Sequence, residues 1–314
     1  MTRTTWTAVL LTALSVTAQA CPERLLVSGY GSDNVHVYDA CNGRFMARID
    51  KAGRIDGAQG LALDAEGRLY VASEENGRVL RYRASDLAFI DVFAGPGGRA
   101  PLTVRKPTGV AIGPDGDVFV VGFQSNDVVR LDPASGAELA HYRLASTGLS
   151  GADAGIAFLP DGRLLIPGFD SNNVVVLNPE TGGAEVLIQA GTQGLTNPRV
   201  VRVRPVDGRI LVSSWGSAAV LAFDFNGDGM GEVLRTPAPT GFIEVPEGGW
   251  LVTSDAAPRV LMFDASAQPL GERVPAGAGG LSGATFLLRV DAGKSGDLEN
   301  SGNNDRENGN DPGF

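Results

Sequence analysis

The stretch Gly109-Val-Ala-Ile-Gly-Pro-Asp-Gly-Asp-Val-Phe-Val-Val-Gly-Phe123 decides the fold. A short apolar run ends in an Asp115-Gly116 turn, and a second run rich in Val follows. Asp and Gly tolerate the positive φ of tight hairpin turns, so the segment reads as two antiparallel strands. The same grammar returns in GLALDAEGRLYVAS from Gly60 and in GIAFLPDGRLLIPGF from Gly155. Weaker copies are VVRVRPVDGRILVSSW from Val200 and GFIEVPEGGWLVTSD from Gly241. Successive starts lie about 41 to 49 residues apart, the spacing of propeller blades.

Each unit continues beyond these two strands, A and B. A polar loop leads to a third strand, C, which ends in an Asp- or Asn-led turn, as at Leu131-Asp132-Pro133 and Leu177-Asn178-Pro179. A more polar strand D and a Gly-rich connection complete a four-stranded antiparallel blade. The register is strict: an aliphatic residue in strand B is followed eight positions later by Val in six units. The pairs are Val27–Val35, Val71–Val79, Val120–Val128, Ile166–Val174, Val212–Val220 and Val252–Val260. The first unit has no strand A ahead of it, whereas Gly283-ATFLLRV resembles a strand A with nothing after it. The C-terminal strand is therefore expected to close the ring inside the first blade, leaving no open sheet edge there. The expectation is an all-β, six-bladed β-propeller over residues 21–290.

The segment from Gly109 to Val121, followed by Asn126-Asp127-Val-Val-Arg-Leu-Asp132, resembles an NHL repeat. It is also similar to the repeats of the gluconolactonase/regucalcin group and of streptogramin lyase. The resemblance implies the fold and leaves function open, because these families share repeats and differ in activity. Lyases of that kind depend on histidines at the funnel. The chain has only His36 and His141, which fall on outer strands C and D and read as packing or surface residues. A gluconolactonase-type site would bring a Glu, an Asn and an Asp onto a metal at the central opening. The strand A starts carry Gln59, Thr108, Ala154, Arg199, Thr240 and Ser282 instead. No Gly-x-Ser-x-Gly elbow and no phosphate loop occurs.

A net charge of −10 and a pI near 4.8 argue against nucleic acid and against anionic membrane surfaces as partners. At the N-terminus, Arg3, the apolar run Trp6 to Val16 and Ala18-Gln19-Ala20 read as a signal peptide over residues 1–20. No later run is long and apolar enough to span a bilayer. The protein is thus expected outside the cytoplasm, periplasmic or extracellular. Cys21 and Cys41 lie just past the cleavage site and meet if residues 24–30 and 35–40 form a hairpin, so a disulfide is expected. The rival reading is lipidation of Cys21, for which Ala18-Gln19 is a poor match. Residues 291–314 are acidic, rich in Asn and poor in apolar residues, and read as a disordered tail.

Propeller topology sends the B–C and D–A loops to one face and the A–B and C–D turns to the other. Three residues after each strand B aliphatic stand Tyr30, Glu74, Phe123, Phe169, Trp215 and Asp255, and one step further Glu75, Gln124 and Asp170. With Arg199 they form a candidate face for a protein or small-molecule ligand. The competing reading packs the aromatics between blades and leaves the carboxylates solvated. A second candidate is Asp224-Phe-Asn226-Gly-Asp228-Gly-Met-Gly-Glu232, where alternating oxygen ligands suit a structural calcium ion on the opposite face. Arg235 stands where a bidentate Glu belongs, so a plain hairpin turn competes with calcium there. Arg202 and Glu244 are expected to pair across the channel, or else to mark a polar spot in the pore. The functional expectation is a monomeric, non-enzymatic binding module without cofactor beyond that calcium. The alternative is a metal-dependent hydrolase in which Glu74, Asp170 and Asp255 hold an ion that polarises a lactone or ester carbonyl.

Overall fold

The computed structural model describes residues 21–50, 52–246 and 248–291; the expected signal peptide over residues 1–20 and the expected tail from 292 onward lie outside the described residues. The chain forms six four-stranded antiparallel sheets, the blades of an all-β propeller. Blade 2 runs through Ala58–Leu63, Arg68–Ser73, Arg78–Arg83 and Phe89–Ala94, and blades 3 to 6 repeat the order from Pro107 to Val274. In blade 1 the innermost strand is the C-terminal Ala284–Asp291, which pairs with Glu23–Gly29 so that Val27 faces Leu287. The ring is closed by the two ends of the chain. A Cys21–Cys41 disulfide, with its Cα atoms 5.9 Å apart, ties the start of blade 1 to its C–D turn. It occupies the sulfur that lipidation of Cys21 would need.

The runs of Val, Leu and Ile in strands B and C are buried on both faces because each blade is covered by its neighbours. Tyr70 and Phe93 of blade 2 meet edge to face at 5.2 Å inside a cluster completed by Val110, Val120 and Val129 of blade 3. Burying one such aliphatic side chain contributes roughly 1.5–3 kcal/mol, so these interfaces hold the ring together. At its centre the innermost strands nearly touch. A Cβ on Gly60 would stand 2.7 Å from the carbonyl oxygens of Thr108 and Ala154. Only glycine lets the backbones approach so closely.

Two expectations about the inner strands are corrected. The residue of the last strand equivalent to Thr240 is Thr285, not Ser282: Thr240 Oγ1 donates to Ala284 O, and Thr285 Oγ1 repeats the bond to Ala58 O. Arg202 and Glu244 do not pair. Arg202 reaches across the channel to the carbonyls of Phe242 and Leu287, at 3.1 and 3.0 Å, and lies 5.1 Å over the Phe286 ring. Glu244 sits at the channel exit and pairs with Arg204 at 3.1 Å. The arginine matching Glu244 in depth is thus two residues further along the strand.

Candidate functional site

One backbone bond, made six times, positions the funnel. The amides of Tyr30, Glu74, Phe123, Phe169, Trp215 and Asp255 donate to the carbonyls of Gly283, Gly57, Lys106, Gly151, Asn197 and Ala238 at 2.8–3.1 Å. All six acceptors have φ between 45° and 69°, the left-handed turn that points their carbonyls back at the ring. Three are glycine and one is asparagine, the residues that take this conformation at least cost. B–C and D–A loops are thereby stapled together on one face, and any side chain can stand on the staple without altering it.

The six side chains divide into two halves. Phe123, Phe169 and Trp215, from blades 3, 4 and 5, form an arc with centroids 6.5 and 6.1 Å apart. They are not sunk between blades: the two Phe rings are half-buried and Trp215 is 36 % exposed. Facing the arc, Arg199 of blade 5 donates Nε to Asp153 of blade 4 at 2.8 Å and Nη1 to Asp255 of blade 6 at 2.7 Å. The guanidinium also lies 5.6 Å from the Phe169 centroid, joining the two halves. Across the mouth, Glu74 accepts a 2.7 Å bond from Gln59 Nε2. Tyr30 and Lys106 both bind Glu75, linking blades 1, 2 and 3.

Burial sets the electrostatics. Glu74 is 9 % exposed, and burial pushes its carboxyl above the usual range, with Asp153 and Glu75 adding to the push against Gln59 and Lys106. Burial likewise pushes Asp153 up, opposed by Arg199. Arg199 also suffers from burial, but Asp153 and Asp255 outweigh it and hold the guanidinium charged. Lys106 and Tyr30 pull Glu75 down, so that carboxylate stays ionised. Titratable groups moved by desolvation in a cleft are a common mark of a functional site.

The structure separates the carboxylates of the hydrolase reading. Asp255 is taken by Arg199, Glu74 by Gln59, and Asp170 stands exposed beside Gly151. Among the described residues, the only three metal-ligating side chains gathered within 4.8 Å are Cys21, Asp39 and Cys41, two of them spent in the disulfide. The calcium-like loop has a plainer geometry as well. Asp224 Oδ1 accepts the amides of Asn226 and Asp228 at 2.9 and 2.8 Å, while Glu232 turns to Arg235. Asp39, Asp132, Asn178 and Asp264 cap their own C–D turns with the same side-chain oxygen. Asp224 is the blade 5 copy of that turn.

Neither histidine reaches the funnel. His36 is fully buried in strand C of blade 1 with Nε2 2.8 Å from Ser32 Oγ; burial, reinforced by Arg48, pulls its pKa down to about 4. His141 pairs with Asp127 at 2.9 Å on the outer strand of blade 3. Sequence reasoning missed Asp153 and Lys106. Asp153 had a signal: its column reads Ala58, Pro107, Asp153, Pro198, Pro239 and Ala284, with one charged residue among Ala and Pro. Lys106 had none, since lysine in a loop is ordinary.

The molecule is a six-bladed β-propeller whose funnel mouth is half aromatic and half charged. A family model described as outer membrane protein assembly factor BamB matches residues 2–153, just under half of the chain. No curated protein matches significantly. Among solved structures, a Bacteroides caccae protein of unknown function superposes with a TM-score of 0.64 at 13 % identity, over 86 % of this chain and 99 % of that one. A chain of a nidogen/laminin complex gives a TM-score of 0.66 at 12 % identity over the same shares. A streptogramin B lyase gives 0.56 at 14 % identity, over 82 % of this chain and 85 % of its own. These likenesses show the propeller fold, including that of the lyase whose repeats the sequence resembles.

Proposed function

We propose that this protein is an exported binding module that holds a ligand, a protein segment or a small molecule, in its funnel without transforming it. The observation that carries the reading is the arc Phe123–Phe169–Trp215 set against Arg199, Asp153 and Asp255 on a backbone-stapled ring. An apolar wall with a few convergent polar groups suits recognition. Arg199 and Lys106 are both held by carboxylates, and neither histidine of the described residues stands there to move a proton. The disulfide supports export, since such bonds persist in oxidising compartments. The partial match to an outer-membrane assembly factor, and the nidogen/laminin neighbour, favour a protein as the ligand. No helix among the described residues is long and apolar enough to cross a membrane.

The test is photo-crosslinking in the producing cells, with a benzophenone side chain at position 215 or at position 206. Val206 is 86 % exposed on the opposite face. The reading expects a discrete adduct from 215 and none from 206. Equal labelling from both positions, or none from 215, contradicts it. Turnover of a lactone or ester abolished by Glu74→Gln would replace it with the hydrolase reading.

A further inference from the structure

We infer that the group received by the funnel is an organic cation, a guanidinium or alkylammonium, bound by Glu74 across the mouth from Trp215 of the aromatic arc. The inference rests on the funnel being the ligand face. Two cations beside the ring are already spent, Arg199 on Asp153 and Asp255 and Lys106 on Glu75, while Arg105 on the Lys106 loop stays exposed without an ion pair among the described residues. An anion bound inside the ring at Arg199 would have to break a pair that spans three blades. Glu74 is in the opposite position. It is 9 % exposed, forms no ion pair among the described residues, and has one neutral donor, Gln59 Nε2. Gln59 is 4 % exposed, and its other amide atom, Oε1, is buried with no hydrogen-bond partner. A buried carboxylate and a buried amide oxygen thus stand together, both lacking a charged donor. Such groups are costly unless a donor arrives, and a cation supplies it.

The aromatic arc favours the same class of ligand. Arg199 already lays its guanidinium near the Phe169 ring at 5.6 Å, which shows that the arc accepts a planar cation. Trp215 offers a further exposed face for the ligand. A carboxylate opposite an aromatic wall can hold the charge of a basic side chain at one end and its stem along the rings. Free amines and basic peptide segments share this chemistry.

The experiment is calorimetric titration of the mature protein with N-acetyl-arginine methylamide and with its citrulline counterpart, which has nearly the same shape without the charge. A hexapeptide carrying one arginine, and the same peptide with citrulline, form a second arm. The arginine compound is expected to bind at least about ten-fold tighter than the citrulline one, the scale of one charge-assisted bond. Glu74→Gln should bring that ratio to about one, and Glu74→Asp should keep a preference; thermal melts confirm that both variants fold. A peptide much tighter than the single residue assigns a basic segment as the source, and equal affinities assign a free amine. Equal binding of arginine and citrulline, or a preference that survives Glu74→Gln, overturns the inference. If that happens while position 215 still crosslinks, only the ligand class is wrong. If position 215 yields nothing, the funnel reading itself fails.

Discussion

The carboxylates at the funnel ring and those of the C–D turns on the opposite face are used in different ways. On the A–B/C–D face, Asp39, Asp132, Asp224 and Asp264 turn their carboxylates onto the amides of their own turns. Each is consumed locally, and the disulfide pins that face further. On the funnel face each of the six staples is a main-chain bond, so the ring side chains are released from structural duty. Outside the ring, Asp33 accepts the Gly57 amide and Asp50 the amides of Ala52 and Ile55. Carboxylates at the ring meet partners from other blades, as Asp153 and Asp255 meet Arg199, or keep a neutral partner only, as Glu74 does. Acidity builds turns on both sides, and on the funnel side it also lines the ring.

The division can be broken at several points. The largest effect belongs to Arg199→Met, which leaves Asp153, 2 % exposed, buried without its cation. Breaking such a pair costs about 3–5 kcal/mol, and adding Asp153→Leu should recover most of it in urea unfolding. Replacing Cys21 and Cys41 by Ser opens a loop of sequence separation 20 and should cost roughly 3 kcal/mol while leaving funnel contacts intact, by melting and by crosslinking at 215.

Buried His36 makes a pH-dependent contribution that belongs to neither face. Its folded pKa of about 4 lies below the ordinary 6.5, so the unfolded chain binds the extra proton first as pH falls. Stability should be complete above pH 6.5 and decline towards pH 4, by on the order of 3 kcal/mol at most. His36→Phe, which keeps a ring between Tyr38 and Phe45, should flatten that slope in melts across the window. Glu74→Gln acts in the reverse sense. Burial raises the Glu74 pKa, so its ionisation weakens the fold as pH rises; the variant should melt higher than wild type at pH 8 and alike at pH 4. The smallest effect is expected from Asp224→Ala, a fall of a few degrees matched by Asp132→Ala, with added calcium restoring neither.

The blade register was legible because one constraint, a Val eight residues after each strand B aliphatic, recurs in every blade. It located all six ring residues, while the closure of blade 1 was legible from the first unit's missing strand A and the leftover Gly283-ATFLLRV. The partners of that ring were harder to read. Lys106 meets Glu75 and Arg199 meets Asp153 across blade boundaries, where sequence distance carries no information. The Arg202–Glu244 expectation failed because strand-start alignment fixes phase but not depth in the channel. Glu244 finds Arg204, whereas Arg202 is left to backbone carbonyls. The turn at Asp224 was legible in the sequence but its role was not, because a self-capping Asp and a cation-binding Asp need the same Gly-rich bend.

Side-by-side assay of Trp215→Ala and Asp132→Ala tests the two-face division most directly, with ligand capture and melting temperature read on the same samples. Capture is measured by in-cell crosslinking from a benzophenone at position 123, the neighbouring position on the arc. The account predicts that Trp215→Ala loses capture with an unchanged melt, and that Asp132→Ala keeps capture with a lower melt. The reverse pattern, or capture lost equally in both, would contradict it.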